Sequence, residues 1–573
     1  MLSLWNNLSD KSKIFFLLIS LGTALPYIVK GVHIGEDIGG QVKSSLQWIN
    51  GQVTAPNILM DPRRNDLSLD QKSWILRPPG ATLLPTIGML VGLSLGQSIK
   101  LGLFSCSIIG GFGWLSIFRR FNIGKPIILI ITIVMGLNSG TSICSYGTAN
   151  VILFALVPWF LILILTISSS FRKFKLSVKE SLVIIITLVA LGCFAWIKLS
   201  GLIIAGTIGA SLFFMILRSK NFLDKFKFVL FWGLLGFIFW MPFFVLEKIN
   251  YTFTGITADQ LYSANDSEIQ TPLFGQFWGE STNGWWLLWS FISAPGYSLP
   301  VKSLAHGFRD FGMQFPVFTQ WMESNTINEH ILVCGFIGLI FSIILFMDLK
   351  RCWLHLEIDH KISIICFYFI PFIGLAILAS RYEWNYLLYH THTFEFWMIF
   401  TIPTLLIFSC QKKLRISSII LLAVIIAIPL TKVLEREIIF FTQNTDKKSS
   451  STEKDLDLSS TRFSSAIDAV EKDSKNSLDV LYFLPNGDMG DLILRTKMRT
   501  IATHFAGGNF PKIHPLKTTK SLNVYCAYDS SLTENKSFVK ALDSNFPQKF
   551  NKEFIFSDKI TVCKIQLAPK NKI

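Results

Sequence analysis

The sequence predicts a mainly α-helical, polytopic membrane protein with about 11 transmembrane helices and a small extracytoplasmic α/β domain at the C-terminus. Three observations predict this fold class. Of 573 residues, 51% are hydrophobic and only 16% are charged, a balance typical of membrane proteins. The apolar residues fall into long runs joined by short loops. A stretch rich in Ser, Thr and Lys then precedes a tail with strand and helix patterns.

Each predicted span approaches the ~20 mostly apolar residues needed to cross a bilayer core about 30 Å thick. The spans are Ile14–Val32, Ser98–Phe118, Ile127–Ile143, Ala149–Ile167, Ser181–Trp196, Ser200–Leu217, Phe228–Leu246, Ile331–Met347, Ile362–Ala379, Phe394–Cys410 and Ile416–Thr431. A further apolar segment, Ala81–Leu95, is short for a span.

Basic residues in the loops decide how Ala81–Leu95 is interpreted. With eleven spans and a cytoplasmic N-terminus, the Lys- and Arg-rich short loops face the cytoplasm, as the positive-inside rule requires. Counting Ala81–Leu95 as another span would place those loops outside. We therefore predict an interfacial or half-inserted helix there. The net charge of +15 comes mostly from these loops, so no nucleic-acid partner is predicted.

This topology divides the chain into a transmembrane domain (1–432), a polar linker (433–462) and an extracytoplasmic α/β domain (463–573). Both long loops, 33–97 and 248–330, then lie on the outer face, and loops of that length usually carry function. The inner loops are short and the sequence has no GxxxxGK[ST] motif, so no ATP-hydrolysing domain is predicted.

The C-terminal domain, called the tail domain below, shows short apolar runs bounded by polar residues. The predicted strands are Leu478–Leu484, Leu522–Ala527 and Lys559–Gln566, and the predicted helices are Asp491–His504 and Leu532–Leu542. Cys526 and Cys563 fall on two of these strands. They form a disulfide in an oxidising compartment or remain two buried thiols, and the sequence leaves both possibilities open.

The first outer loop, 33–97, begins with two adjacent carboxylates, Glu36 and Asp37. Acidic residues are common beside a span simply because they stay hydrated there. However, repulsion between the two carboxylates favours protonation of one of them. A carboxylate in that state suits a general base that activates a hydroxyl. The pair is therefore the candidate catalytic site, and whether it needs a divalent metal stays open.

Arginines later in the same loop are candidates for holding a phosphate. Arg63, Arg64 and Arg77 carry guanidinium groups, which bind phosphate through paired hydrogen bonds. The alternative is that they anchor the chain at lipid headgroups. Pro78 and Pro79 directly follow Arg77 and break any helix before them, which sets the point where the chain returns to the membrane.

The order of motifs is one span, the acidic pair, a stretch ending Trp48-Ile49-Asn50-Gly51, then Arg77-Pro78-Pro79-Gly80 and the apolar Ala81-Thr82-Leu83-Leu84-Pro85. It resembles the first outer loop of the GT-C superfamily of membrane glycosyltransferases. The resemblance is to the branch with protein O-mannosyltransferases and aminoarabinose transferases. The motifs match as far as the second predicted span, and beyond it the layout alone is similar.

The resemblance implies an inverting enzyme of the bacterial inner or plasma membrane. Such an enzyme moves a sugar from a polyprenyl-phosphate carrier to a glycan, lipid or protein acceptor on the outer face. One loop carboxylate deprotonates the acceptor hydroxyl, and basic residues hold the carrier phosphate. The spacing to Gly51 favours Asp37 as the base, with Glu36 as its partner. Two features depart from the family: the pair order is Glu-Asp, and Ser145–Asn150 lacks the second acid that members often carry.

Two later outer segments supply further candidates. Arg381 lies at a span end and is assigned to the carrier phosphate. Trp285, Trp286, His306 and His390 are candidates for acceptor or sugar binding, since aromatic rings suit the apolar faces of sugars. The alternative is an aromatic belt at headgroup depth.

Three other functions stay open. An O-antigen-type polymerase or ligase, which also acts on lipid-linked glycan, would use late residues such as Arg381 and His390 but leaves the acidic pair unexplained. A lipid-linked sugar transporter or flippase predicts charged residues within spans or two related halves, and the spans have almost no ionisable residue. A binding module on a membrane anchor would need far fewer spans.

Overall fold

The structure is a computed structural model of the whole chain. It describes residues 10–30, 58–59, 80, 83–93, 95–120, 148–170, 178–198, 201–218, 222–254, 464–483, 498–502, 518–534, 552–557 and 560–568, with single positions at 496 and between 129 and 136 and short pieces between 339 and 370. The predicted spans Phe394–Cys410 and Ile416–Thr431 and the linker 433–462 lie outside the described residues.

The described N-terminal half is helical, as its apolar runs predict. Its helices are α1 (Asp10–Lys30), α2 (Leu83–Leu90), α3 (Leu95–Arg120), α4 (Thr148–Ser170), α5 (Val178–Gly192), α6 (Phe194–Ile197), α7 (Gly201–Arg218) and α8 (Phe222–Thr254). Helices α1, α3, α4, α7 and α8 each cover all or most of a predicted span. Helical positions between 339 and 370 fall in or beside the eighth and ninth predicted spans.

Two segments differ in detail from the predicted spans. The predicted span Ser181–Trp196 is two helices, because the chain turns at Cys193 between α5 and α6. Ala81–Leu95 contains only the eight-residue α2, about 12 Å long at 1.5 Å per residue. That length agrees with the prediction that this segment does not cross the membrane, while its depth in the membrane stays a prediction.

The helices present apolar side chains outward as well as inward. One described stretch, Gln97–Ile117 in α3, is long and apolar enough to cross a membrane. On α8, Leu234, Phe237 and Phe244 are 64%, 76% and 58% exposed. Soluble proteins rarely leave a continuous apolar stripe of this kind uncovered, so these faces are suited to lipid. Outward apolar faces of this kind are what the predicted membrane domain requires.

Glycines allow neighbouring helices to approach closely. A Cβ on Gly113 of α3 would lie 2.6 Å from the Pro158 side chain of α4. Beside this contact, the Trp159 indole N–H of α4 donates to the Ile109 carbonyl of α3 (3.2 Å). Small residues at a helix crossing are common in membranes, where van der Waals packing drives helix association.

The tail domain is built on a six-stranded mixed sheet. Its strands are β1 (Ile58–Leu59), β2 (Val480–Phe483), β3 (Arg499–Ala502), β4 (Leu522–Asp529), β5 (Lys552–Ser557) and β6 (Ile560–Leu567). The order across the sheet is β1-β3-β2-β4-β6-β5. Neighbours are parallel from β1 to β4 and antiparallel from β4 to β5.

The three predicted tail strands are confirmed as β2, β4 and β6, but the helix predicted at Asp491–His504 is wrong where the structure describes it. Residues 499–502 form β3, which pairs with both β1 and β2. Pairing with strands distant in sequence outweighs the local helical pattern. Of the helix predicted at Leu532–Leu542, the described part is a 3₁₀ helix, Ser530–Glu534, and the rest lies outside the described residues.

Helix α9 (Ser464–Asp473) packs on the sheet and was not predicted, because its composition is largely polar. It buries Ala466, Ile467 and Val470 against β4 and β6, including Tyr525 and Val562. The tail domain thus has an apolar core between one helix and its sheet.

The two cysteines of the tail lie directly opposite each other on β4 and β6, in register as Cys526 and Cys563. Both are buried thiols. Directly paired antiparallel residues have Cα atoms about 4.5–5.5 Å apart, which lies within disulfide range. The register therefore permits a disulfide, and both alternatives stay open.

Candidate functional site

All the predicted site residues lie outside the described residues: Glu36, Asp37, Arg63, Arg64, Arg77, Trp285, Trp286, His306, Arg381 and His390. Their proposed roles therefore stay predictions. The structure does describe three parts of the loop that carries the first five of them. These are the strand β1, Gly80 and helix α2, and they show what the first outer loop is attached to.

Gly80, the last residue of the Arg-Pro-Pro-Gly motif, is seated on the backbone at the end of α6. It is buried, and a Cβ at this position would lie 2.5 Å from the Trp196 carbonyl oxygen and 3.1 Å from the Ile197 Cα. Backbone atoms cannot rotate away as a side chain can, so only glycine fits here without displacement. The predicted point of re-entry into the membrane is thus fixed against one helix end.

That helix end is itself connected to a second helix. The Trp196 indole N–H donates to the carbonyl of Pro242 in α8 (2.7 Å). Farther along the same contact, a Cβ on Gly192 would collide with the Phe239 carbonyl oxygen. Gly80 therefore sits on a support formed by α6 and α8, which we call the re-entry seat (Gly80, Trp196 and Pro242).

Other helix ends lie beside the re-entry seat. A Cβ on Gly201, which begins α7, would lie 2.8 Å from the Phe194 carbonyl oxygen and 3.4 Å from a methyl carbon of Leu153 near the start of α4. The starts of α4 and α7 thus meet the one-turn helix α6 at one end of the helical region. The predicted topology requires these ends to share a face, and the outward orientation of that face stays a prediction.

After Gly80 the chain forms a tight helical hairpin. Helix α2 ends in a turn in which Gly92 has φ of 89°, a conformation that favours glycine. Helix α3 then packs back along α2, with Gly88 so close that a Cβ would lie 2.5 Å from the Ser98 Oγ. The hairpin fixes where the first outer loop ends and the second span begins.

The middle of the first outer loop is attached to the tail domain. Ile58 and Leu59 form β1, which pairs in parallel with Thr500 and Ile501 of β3. Thr500 is fully buried and Arg499 nearly so, and the Arg499 guanidinium donates to the Leu478 carbonyl (3.2 Å). The loop thus supplies the edge strand of a sheet whose other strands come from the opposite end of the chain.

Chain connectivity limits how far the candidate arginines lie from these attachments. At no more than ~3.6 Å per residue, the Cα of Arg63 is within ~15 Å of Leu59 and that of Arg77 within ~11 Å of Gly80. The arginine-bearing segment between β1 and the re-entry seat is therefore attached at both ends. The acidic pair follows α1, and Asp37 lies within ~25 Å of Lys30 by the same limit.

Near the tail-domain surface, one carboxylate has a perturbed pKa. The Lys564 ammonium contacts Asp473 at 2.8 Å, and the Tyr525 hydroxyl donates to the same oxygen (2.7 Å). The hydrogen bond from Lys564 first, and then that from Tyr525, lowers the pKa of Asp473. This pair ties α9 to β4 and β6 and is a structural contact of the fold.

A second carboxylate of the tail, Asp479, is buried and organises the start of β2. Its oxygens accept from the Asn523 backbone N–H (2.8 Å), the Asn523 amide (3.2 Å) and the Ser474 hydroxyl (3.0 Å). One donor, Ser474, lies in the loop after α9, and the other two belong to Asn523 of β4, so Asp479 holds that loop onto β4. In the part of the chain that the structure describes, no group of three or more His, Cys, Asp or Glu residues is placed to bind a metal.

Sequence reasoning missed both attachments of the first outer loop. An apolar pair, Ile58-Leu59, inside a polar loop was the available signal for β1. Gly80 was identified only as the last residue of the Arg-Pro-Pro-Gly motif, and its contact with the α6 backbone depends on a helix more than a hundred residues away.

Comparisons with known proteins give one match. No family model and no curated protein matches the sequence. Among solved structures, the chain is similar to ArnT from Cupriavidus metallidurans bound to undecaprenyl phosphate. The similarity covers 96% of this chain and 97% of that one, with 11% identity and a TM-score of 0.38.

Proposed function

We propose that this protein is an inverting glycosyltransferase that moves a sugar from a polyprenyl-phosphate carrier to an acceptor on the outer face of the membrane. The observation that carries the proposal is the construction of the first outer loop. The loop holds the acidic pair and three arginines, and its arginine-bearing segment is attached at β1 and at Gly80. Attachment at both ends favours the fixed geometry that transfer chemistry requires.

In the proposed reaction, Asp37 accepts the proton of the acceptor hydroxyl while that oxygen attacks the anomeric carbon of the sugar. The bond between the anomeric carbon and the phosphate oxygen breaks, and its electron pair leaves with the polyprenyl phosphate. Arg63, Arg64, Arg77 and Arg381 are proposed to neutralise the charge that develops on this phosphate. Glu36 is the proposed partner of the base.

The first experiment measures sugar transfer from a panel of labelled polyprenyl-phosphate sugars to membrane extract by the purified full-length protein. Undecaprenyl phosphate, the lipid bound in the ArnT structure, is the first carrier. For Asp37→Asn we expect transfer to fall at least ~100-fold, the usual scale for removing a general base, while the carrier still binds. The exposed Asp468 of α9 supplies the matched control, and Asp468→Asn should transfer at the normal rate.

Arginine variants separate phosphate binding from proton transfer. Arg77→Ala should raise the KM for the carrier more than it lowers kcat, and Arg77→Lys should be intermediate because it keeps the charge but not the paired hydrogen bonds. Normal transfer by Asp37→Asn would contradict the base assignment. No transfer from any carrier by folded protein would contradict the proposal and favour a polymerase, ligase or transporter.

Acceptor binding by Trp285, Trp286, His306 and His390 is part of the same proposal. Single alanine substitutions should raise the KM for the acceptor and leave the KM for the carrier unchanged. Repeating the assay with a chelator, and then with Mg²⁺ or Mn²⁺ restored, tests the need for a divalent metal.

A further inference from the structure

The outer edge of β3 is an interaction surface for the first outer loop. Inside the tail domain, β3 pairs with β2 through residues 499–502, and its other edge receives β1. An unoccupied edge of a parallel sheet presents unpaired backbone N–H and C=O groups. Both neighbours of β3 are parallel to it, an arrangement usually found in the covered interior of a sheet. The register of β1 on β3 is defined, with Ile58 opposite Thr500.

We propose that the tail domain is a positioning element for the first outer loop and that β1 is its point of attachment. The role of the arginines in binding the carrier phosphate rests on the proposed function. The attachment of β1 to β3 does not depend on that function. The loop is then clamped between two bodies: the tail sheet at β1 and the helical region at the re-entry seat. Arg63 and Arg64 directly follow the first of these attachments, and Arg77 precedes the second.

The clamp would let two predicted domains build one site. The residues between β1 and Gly80 depend on both units for their position, so neither unit alone fixes the arginines. A change at β1 should therefore act on binding of the carrier phosphate. A merely destabilising change would instead reduce the amount of active protein, and with it the apparent kcat, at an unchanged KM.

Cysteine cross-linking tests the attachment in the full-length protein. A protease site is inserted after Ser450, in the predicted linker, and Ile58→Cys is combined with Thr500→Cys. Oxidation should join the two fragments, so that cleavage separates them only after reduction. The matched control combines Ile58→Cys with Glu553→Cys on β5. Strands β1 and β5 lie at opposite edges of the sheet, five strand spacings or ~24 Å apart, so this pair should not cross-link. Each single variant is treated in parallel to exclude the native cysteines.

The positioning role is tested by kinetics. Replacing both Ile58 and Leu59 with proline removes the backbone donors of β1, and should raise the KM for the polyprenyl-phosphate donor about tenfold with kcat within twofold. Replacing both with valine keeps the donors and strand propensity and should restore the normal KM. A fall in kcat at unchanged KM, or equal behaviour of the two variants, would overturn the positioning role.

The two proposals fail separately. A cross-link in protein that transfers no sugar would leave the attachment standing and overturn the proposed function. Sugar transfer by protein in which the 58–500 pair does not cross-link would overturn the attachment and leave the proposed function standing. Closure of the disulfide should preserve transfer. A loss of transfer that a reductant reverses would show that β1 must leave the sheet during turnover, against the clamp.

Discussion

Helices α5 and α8 meet where Gly192 touches the Phe239 carbonyl, whereas α9 meets the tail sheet through a layer of buried side chains that includes Val470 and Tyr525. In the predicted topology, the first contact lies in lipid and the second in water. In lipid, burying an apolar side chain against another helix yields little, so association depends on close backbone approach. In water, each fully buried side chain of this size contributes about 1.5–3 kcal/mol. The helical region should therefore be sensitive at its glycines, and the tail at its core and buried polar groups.

The largest expected effect is at Gly192. Gly192→Ala places a methyl group against the Phe239 carbonyl, and only a movement of α5 or α8 relieves the collision. We expect a loss of about 3 kcal/mol, the upper part of the range for overpacking. Thermal unfolding of the detergent-solubilised protein measures it.

The matched control is Gly206 of α7, where an added Cβ has no neighbour within 4 Å. Gly206→Ala should be neutral or stabilise by up to about 1 kcal/mol, because alanine is the better helix former. If both substitutions had the same effect, close backbone approach would not be what holds α5 and α8 together.

The corresponding weak point of the tail is Asp479. Asp479→Ala leaves the Asn523 backbone N–H without its acceptor, at a cost of about 2 kcal/mol for a buried unsatisfied donor. The buried thiols Cys526 and Cys563 report on the change, since under reducing conditions their alkylation should become faster. Asp468→Ala, at an exposed position of the same domain, should change the stability by less than about 0.5 kcal/mol. An unchanged alkylation rate in Asp479→Ala would show that the carboxylate does not hold β4.

A smaller effect is expected where the two regions cooperate, at Gly80. Gly80→Ala sets a methyl group against the Trp196 carbonyl and should shift the adjacent Arg-Pro-Pro segment. Under the proposed function we expect transfer about tenfold slower, equivalent to ~1.4 kcal/mol, with the Ile58→Cys and Thr500→Cys cross-link still forming. The control is Gly22→Ala in α1, where the added Cβ has no neighbour within 4 Å. Loss of the cross-link in Gly80→Ala would show that the two attachments are one cooperative unit.

The same contrast of solvents explains what could be predicted from the sequence. Hydropathy located most of the described helices of the predicted membrane domain to within a few residues, as for Ser98–Phe118 inside α3, because a long apolar run is a local property of composition. Strands β2, β4 and β6 were likewise visible as short apolar runs. β1 and β3 were not, since each is a strand only through pairing with a distant partner.

The candidate site shows the same division. The acidic pair and the Arg-Pro-Pro-Gly motif could be recognised because each consists of residues adjacent in the sequence. The seat of Gly80 on the α6 backbone could not, because it depends on which helix end lies beneath it. The missed helix α9 is a third case: its apolar positions, such as Ile467 and Val470, are few and its remaining residues are polar.

The smallest expected effect is electrostatic and belongs to the tail surface. Hydrogen bonds from Lys564 and Tyr525 lower the pKa of Asp473, so the folded state favours the ionised carboxylate. The resulting stability is present above the ordinary aspartate pKa of about 3.9 and is lost as the pH falls through the lowered value. Because both partners of the ion pair are partly exposed, we expect it to contribute less than about 1 kcal/mol.

Asp473→Asn isolates this contribution, since asparagine keeps an acceptor for the Tyr525 hydroxyl but carries no charge. Peptide-resolved hydrogen exchange of β4 and β6, corrected for the intrinsic rate at each pH, should show weaker protection in the variant at pH 6. The difference should shrink as the pH falls toward 3, whereas Asp468→Asn should match the unsubstituted protein at both values. A difference that persists at low pH would mean that Asp473 acts through its shape and hydrogen bonding alone. The ion pair would then contribute nothing to the stability of the tail domain, which would depend on its apolar core and its buried polar groups.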